Sequence, residues 1–387
     1  MNFDLTEEQH LFRESVRKWV VNECPKDWCR DLERQEHQYP QELWDRLTRA
    51  GFHGVGVPEE YGGLGGDIIT QALFAREFAR HAGGLAWIWG ITSFSGAHSI
   101  RVHGNEAQKQ EFLPKMAAGE LRAAMAFSEP SGGTDLLGGM KTEARRDGDG
   151  WRVNGEKIWS TTADSADYLL LMARSEKNPA RRTDGITVFF VPRETPGVTV
   201  TPLPKLGMRA LSSCAVHFED AFVADNFVLG EAGKAWYETT KTLNNERILN
   251  TAMCLGMLDG VLEDALEHMK TRTAFGKTIG HFQVLQHYIA DIAMSQKQVE
   301  LLLYNTAWLQ AEGKPCGVES TMAKTVASEA VSKAADRGIS ILGGMGYSAE
   351  TDMQRYWRDS RLLSIGPISN EMARNMIAQG FGLPRSF

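Results

Sequence analysis

Arg146-Asp-Gly-Asp-Gly150 and Trp151-Arg-Val-Asn-Gly155, then Tyr168-Leu-Leu-Leu-Met172 and Ile186-Thr-Val-Phe-Phe-Val191, decide the fold. Short apolar runs rich in Val, Phe and Tyr, bounded by Gly, Asp and Pro, read as strands. The zone around them, from about Leu121 to Gly230, is a small β-domain. Helical periodicity lies on both sides of it. Thr6 followed by Glu7 and Glu8 opens a helix carrying Leu11, Val16 and Trp19, and Pro40 begins another with Leu43, Leu47 and Ala50. The glycines and proline of Val57-Pro-Glu-Glu-Tyr-Gly-Gly-Leu-Gly-Gly66 make that stretch a loop. Beyond Trp236, the residues Leu285, Tyr288, Ile289, Ile292, Val299 and Leu302 recur on one face, with no interior Gly or Pro before Gly313. Ala323, Val326, Ala330, Val331 and Ala334 mark a second apolar face ending near Gly343. This order predicts an α+β chain, mainly α. Its parts are an N-terminal helical domain (1–120), a middle β-domain (121–230) and a C-terminal helical bundle (231–387).

Composition narrows the function. The 387 residues include 42 Lys+Arg against 49 Asp+Glu, a formal charge of −7. That balance argues against a nucleic-acid binder, which carries a basic patch or domain. Apolar content of 42% and charged content of 24% fit a globular chain. No run approaches eighteen apolar residues, so no membrane-spanning helix is expected. The start MNFDLTEEQHLF lacks a basic region followed by an apolar stretch, and the five cysteines include no CxxC pair. Neither a secretory signal nor a disulfide framework nor a metal site is expected, and a cytoplasmic setting fits.

Four stretches could carry chemistry. In Phe127-Ser-Glu-Pro-Ser-Gly-Gly-Thr-Asp135 the glycines would let backbone N–H groups approach a bound group, though a plain turn reads the same way. In Lys157-Ile-Trp-Ser-Thr-Thr162 a Trp beside small hydroxyl residues can form an aromatic wall; read alone, Trp159 belongs in the core. Arg272-Thr-Ala-Phe-Gly-Lys277 with His281-Phe-Gln283 suits a phosphate, or is a pair of solvated charges. Leu342-Gly-Gly-Met-Gly-Tyr347 ends a helix, where a glycine cap is expected in any case.

Together with Phe3-Asp-Leu-Thr-Glu-Glu-Gln9, Val57 to Gly63, Gly155-Glu-Lys-Ile-Trp159, Lys205-Leu-Gly-Met-Arg209 and Arg358-Asp359, these stretches resemble the acyl-CoA dehydrogenase family over nearly the whole chain. Within it the chain looks most like the bacterial crotonobetainyl-CoA dehydrogenase/reductase branch. The resemblance implies an N-terminal helical domain, a middle β-domain and a C-terminal four-helix bundle. It implies FAD, with the flavin ring against Phe127, Ser128, Gly133, Thr134, Trp159 and Thr161. The pyrophosphate and adenine would reach Arg272, Phe275, Gln283, Gly343 and Gly344, contributed by a neighbouring subunit in a dimer of dimers. Ser369 and Glu371 stand where family members contact the cofactor again.

The reaction so implied removes a proton from Cα of an acyl-CoA thioester while Cβ gives hydride to flavin N5. Electrons then pass to an electron-transferring flavoprotein. The base must be a carboxylate, and desolvation favours its basicity. The position after Arg358-Asp359 where most members carry that Glu is Pro367 here, within Ile365-Gly-Pro-Ile-Ser-Asn-Glu371. Other members carry the base in a Glu-Arg pair on the first long helix. Asn244-Asn-Glu-Arg247 makes Glu246 the candidate, with Arg247 beside it at the substrate. Proline also lacks the N–H that would polarise the thioester oxygen. Trp87 and Trp89, in Leu85-Ala-Trp-Ile-Trp-Gly-Ile-Thr-Ser-Phe94, fall on the helix that lines the acyl end of the pocket. Two indoles there predict a short, branched or cyclic acyl group. Pro367 leaves open a relative with changed chemistry (reductase, desulfinase or oxidase), and a non-catalytic partner subunit is the third reading.

Overall fold

A computed structural model describes residues 4–176 and 181–385. Phe3 of the N-terminal motif, and the outermost residues of the expected terminal domains (1–3 and 386–387), lie outside the described residues. Thr6 caps the first helix: its Oγ1 accepts from Gln9 N at 3.2 Å, and Gln9 Oε1 accepts from Thr6 N at 3.0 Å. The N-terminal helices are α1 (Glu7–Glu23), α2 (Lys26–Glu33), α3 (Gln41–Arg49), α4 (Ile68–Ala82), α5 (Trp87–Ile91), α6 (Ser99–His103) and α7 (Glu106–Ala117). The stretch Leu85–Phe94 is helical as expected, but with an irregular hydrogen-bond pattern. A 3₁₀ turn at Gly83–Ala86 precedes α5 and a π-turn at Thr92–His98 follows it. Gly83, at φ 57°, ends α4, and the Gly84 N–H is drawn to Asp359 Oδ2 at 3.0 Å, so no helix runs through this point.

The β-domain holds β1 (Ala123–Ala126), β2 (Glu143–Asp147), β3 (Gly150–Thr161), β4 (Tyr168–Arg174), β5 (Ile186–Pro192), β6 (Val198–Leu203), β7 (Ser213–Ala224) and β8 (Val228–Leu229). Their order is β6-β7-β3-β2-β4-β5-β8, with β1 parallel to β4. The β2–β3 hairpin turns through Gly148 at φ 60°, where the Asp-Gly signals predict it.

The C-terminal bundle is α8 (Ala235–Thr271), α9 (Gln283–Ala311) and α10 (Gly317–Leu342), followed by α11 (Gly344–Tyr347), α12 (Met353–Leu363) and α13 (Asn370–Gly380). The long helices are joined by short connections and alternate in direction. The end of α8, the start of α9 and the end of α10 therefore share one end of the bundle. A small hairpin, β9 (Thr273–Ala274) with β10 (Lys277–Thr278), covers the α8–α9 turn. α8 also packs closely on α4: a Cβ at Gly256 would sit 2.1 Å from Arg76 O. Among the described residues no helix is long and apolar enough to cross a membrane, and the five cysteines are free and buried.

Buried charges knot the three domains together. Asp359 accepts from Gly84 N of the first domain at 3.0 Å and from Met208 N of the second at 2.7 Å. Glu33 accepts from Arg209 N at 3.0 Å and Ala210 N at 3.2 Å. Arg355, fully buried on α12, donates to Ala82 O and His81 O, both at 2.6 Å, and pairs with Asp352. A cavity of about 580 Å³ opens beside this knot, among Arg30, Arg209, Tyr347 and Arg358. Each bond from a charged acceptor is worth about 1.5–3 kcal/mol, more when its loss strands a buried donor. Asp359→Ala strands two, so chemical denaturation should show a loss of about 3 kcal/mol or more.

Candidate functional site

The Phe127–Asp135 segment leaves β1 and runs beside the end of β3, since Ile158 N donates to Ser128 O at 2.9 Å. A buried ion pair fixes it there. Lys157 Nζ, inside β3, reaches Glu129 Oε1 at 2.8 Å and Phe127 O at 3.1 Å. Glu129 in turn accepts from Lys141 N at 2.6 Å and Thr142 N at 2.9 Å. Burial by itself would raise the Glu129 carboxyl, but the Lys157 charge and these hydrogen bonds hold it below its ordinary range. Burial lowers the Lys157 ammonium to about 8 against the pull of Glu129.

Two residues beyond Lys157 the strand slips register between Lys157 and Ser160, and Trp159 takes φ 62°. Its indole is 57% exposed, so the core position that its residue type suggests is not where it lies. An exposed indole on a left-handed, non-glycine backbone is strained, a condition that clusters at ligand sites. Gly133 is open, with no atom within 4 Å of a Cβ built there, and Thr134 is exposed. Phe127 is buried and Thr161 half-buried.

Glu246 lies on α8 at 5% exposure, and its Oε2 has no hydrogen-bond partner. Burial pushes its carboxyl up to about 7, against the opposing charges of Arg247 and Lys324. Arg247 is buried and donates to Asn244 Oδ1 at 2.9 Å. Lys324, on α10, donates to Ile368 O at 2.5 Å and Asn370 Oδ1 at 2.9 Å, which ties the loop carrying exposed Pro367 to the bundle near Glu246. Ser369 caps α13, accepting from Met372 N at 3.2 Å, and Glu371 is exposed in the first turn. A cavity of about 10 Å³, room for a single water, lies between Phe127, Phe94, Ser99, Thr239 and Thr242, the last one helical turn before Glu246, which does not line it.

The remaining expected residues lie elsewhere. Arg272 ends α8, Phe275 tips the β9–β10 hairpin at φ 50° and 94% exposure, and Gln283 starts α9. Gly343 and Gly344 end α10 with open space around them. All five share one end of the bundle. Arg272 stands 26 positions after Glu246 on α8, about 39 Å away at roughly 1.5 Å per residue. Trp89 belongs to the core rather than the pocket: its N–H donates to Phe52 O at 3.1 Å and its ring meets Phe74 at 4.7 Å. Trp87 is buried, against Gly90.

Exposed aromatics at Trp159 and Phe275 and open glycines at 133, 343 and 344 suit a ligand with flat rings and a phosphate bridge, as an FAD would present. In the sequence Lys157, Glu129 and Asn245 stand only as members of longer motifs, and Lys324 and Asn250 belong to none of them.

Comparison with known proteins agrees. Profiles described as acyl-CoA dehydrogenase N-terminal domain, middle domain and C-terminal domain match residues 6–120, 124–221 and 233–382. The chain is 33% identical to the probable acyl-CoA dehydrogenase YngJ of Bacillus subtilis, over 98% of this chain and 99% of that one. It is 32% identical to the mitochondrial isovaleryl-CoA dehydrogenase of Pongo abelii, over 97% and 89%. Among solved structures it resembles butyryl-CoA dehydrogenase from Megasphaera elsdenii, with TM-score 0.92, 31% identity and coverage of 99% and 100%. It also resembles a chain from the structure of the electron transferring flavoprotein of Acidaminococcus fermentans (0.93, 30%, 98% and 99%). An acyl-CoA dehydrogenase complexed with FAD from Bacillus anthracis matches at 0.90 and 30%, over 98% of this chain and 67% of that one.

Removing one partner of a buried ion pair leaves an uncompensated charge and costs about 3–5 kcal/mol. Lys157→Met should lose stability on that scale in urea denaturation and purify with less bound flavin.

Proposed function

This chain belongs to the acyl-CoA dehydrogenase family and is an FAD-dependent oxidoreductase acting on acyl-CoA; from that premise we propose that it α,β-dehydrogenates a short, branched or cyclic acyl-CoA with Glu246 as the base. The observation that carries this reading is the buried Glu246 carboxyl with an unpartnered Oε2, on a helix whose Thr242, one turn earlier, meets Phe127 across a small cavity. Bound FAD supplies the acceptor for the hydride that leaves Cβ. Glu246 takes the Cα proton as the Cα–H electron pair forms the double bond. Arg247 and Lys324 balance the charge of its carboxylate form, and burial keeps that carboxylate short of water and hence basic.

Phe127, Ser128, Gly133, Thr134, Trp159 and Thr161 would hold the flavin ring, with Ser369 and Glu371 nearby. Arg272, Phe275, Gln283, Gly343 and Gly344 would hold the dinucleotide of a neighbouring subunit. What supports a shared site is the separation of about 39 Å along α8 between Glu246 and Arg272. Such sharing needs at least a pair of subunits, in keeping with the dimer of dimers that the family resemblance implies. The likeness to a chain from an electron transferring flavoprotein structure supports such a flavoprotein as electron acceptor. The likeness to isovaleryl-CoA dehydrogenase supports a branched acyl group. Cysteines that are free and buried among the described residues support a reducing, cytoplasmic compartment. Pro367 favours one second reading: with no N–H to offer the thioester oxygen, the chain would hold its substrate in a shifted pose and run as a reductase or oxidase.

Flavin bleaching by a panel of saturated acyl-CoA esters tests the reaction, and no bleaching with any ester contradicts it. Glu246→Gln should retain FAD and slow bleaching by about 10²–10⁴-fold. The sign of the pH effect follows from the raised carboxyl. Protonated below about 7, Glu246 cannot accept the proton; ionised above it, it can. The bleaching rate in the wild type should therefore climb as pH rises through about 7, and that limb should vanish in Glu246→Gln.

A further inference from the structure

Three neighbouring side chains on α8, Asn245, Glu246 and Asn250, are each exposed by 5% or less and carry polar atoms without a hydrogen-bond partner. These are both amide atoms of Asn245, Oε2 of Glu246 and Nδ2 of Asn250. Buried polar atoms left unpaired cost stability, so such a group within two helical turns calls for a ligand. The proton transfer proposed above accounts for Glu246. It does not account for the two asparagines.

Asn250 follows Glu246 by four positions, which places both on one face, about 5–6 Å apart at Cβ. Helical side chains lean toward the N-terminus, so the Asn250 amide leans over the turn that carries Glu246. Its Oδ1 accepts from Cys254 Sγ at 3.6 Å, which leaves the Nδ2 donor free. A plain hydrocarbon chain would leave every one of these atoms unsatisfied.

We propose that the acyl pocket is built for an acyl group bearing a neutral hydrogen-bonding substituent, a hydroxyl or an amide, at Cγ or Cδ. Asn250 Nδ2 donates to that substituent from the helix face that carries Glu246, while Asn245 lies on a different face. The spacing sets the position, since a base at Cα and a donor one turn along reach atoms two or three carbons apart. A carboxylate there would face the Glu246 carboxylate one turn away. An ammonium would meet the Asn250 donor and the Lys324 and Arg247 cations. The substituent takes no part in the reaction: the Cα proton still goes to Glu246 and the Cβ hydride to FAD. This inference rests on reading Glu246 as the base that faces the substrate Cα.

The test compares 4-hydroxybutyryl-CoA with butyryl-CoA and glutaryl-CoA on the FAD-loaded protein, by calorimetric Kd and by flavin bleaching. The hydroxy ester should bind and react about tenfold better or more, because its absence leaves Asn250 unpaired. Asn250→Leu should abolish or invert that preference and melt at a higher temperature. Equal or better binding of butyryl-CoA by the wild type overturns the proposal, and needs no variant to do so. A preference for glutaryl-CoA overturns it in favour of an anionic acyl group. Tighter binding of the hydroxy ester with no bleaching by any ester supports the polar seat and overturns the dehydrogenase reading alone.

Discussion

The carboxylate of Asp359 is the constraint on which the arrangement depends. One of its oxygens takes a backbone N–H from the N-terminal domain and the other takes one from the β-domain, while its own helix belongs to the bundle. A single buried group thus sets the relative placement of all three domains, with Arg355 and Glu33 making parallel ties. The site needs that placement, because Trp159 and Phe127 come from the sheet, Phe94 from the N-terminal helices and Glu246 from the bundle. Neither the aromatic wall nor the carboxylate makes a site alone. Gly83 and Gly84 allow the approach: a Cβ on either would come within 3.0 Å of Arg355 or of Met208 and Asp359.

Burial then does the chemical tuning. On a solvent-facing helix Glu246 would be an ordinary weak base, ionised well below neutrality. Buried between α8 and α10, it loses more to desolvation than Arg247 and Lys324 restore, and its carboxyl rises to about 7. The opposite balance holds at Glu129, where Lys157 and two backbone donors outweigh the desolvation. The two carboxylates are equally hidden and differ in their partners. One is therefore poised for proton transfer and the other is a structural clamp.

Much of the fold was legible. Strands announced themselves as short apolar runs between Gly and Asp, the helix start at Thr6 carried its capping box, and Pro40 marked another start. The stop of α4 at Gly83 was not legible, because the bond beside it ties Gly84 to Asp359, 275 positions away. Trp159 shows the limit of residue type: a tryptophan in a strand reads as core, and only the register slip exposes it. The family's motif order suggests an aromatic wall at this position, where residue type alone suggests core. Asn245 and Asn250 gave one faint sign, polar residues set beside the buried apolar Ile248, Leu249, Ala252 and Met253.

The central claim is that Glu246, rather than any group near Pro367, faces the reacting carbon. A crystal structure of the FAD-loaded protein with a bound, unreactive acyl-CoA analogue would test it most directly. The account predicts a Glu246 carboxylate oxygen about 3–3.5 Å from Cα, on the side opposite the flavin ring. A Cα facing another carboxylate, with Glu246 out of reach, would contradict it.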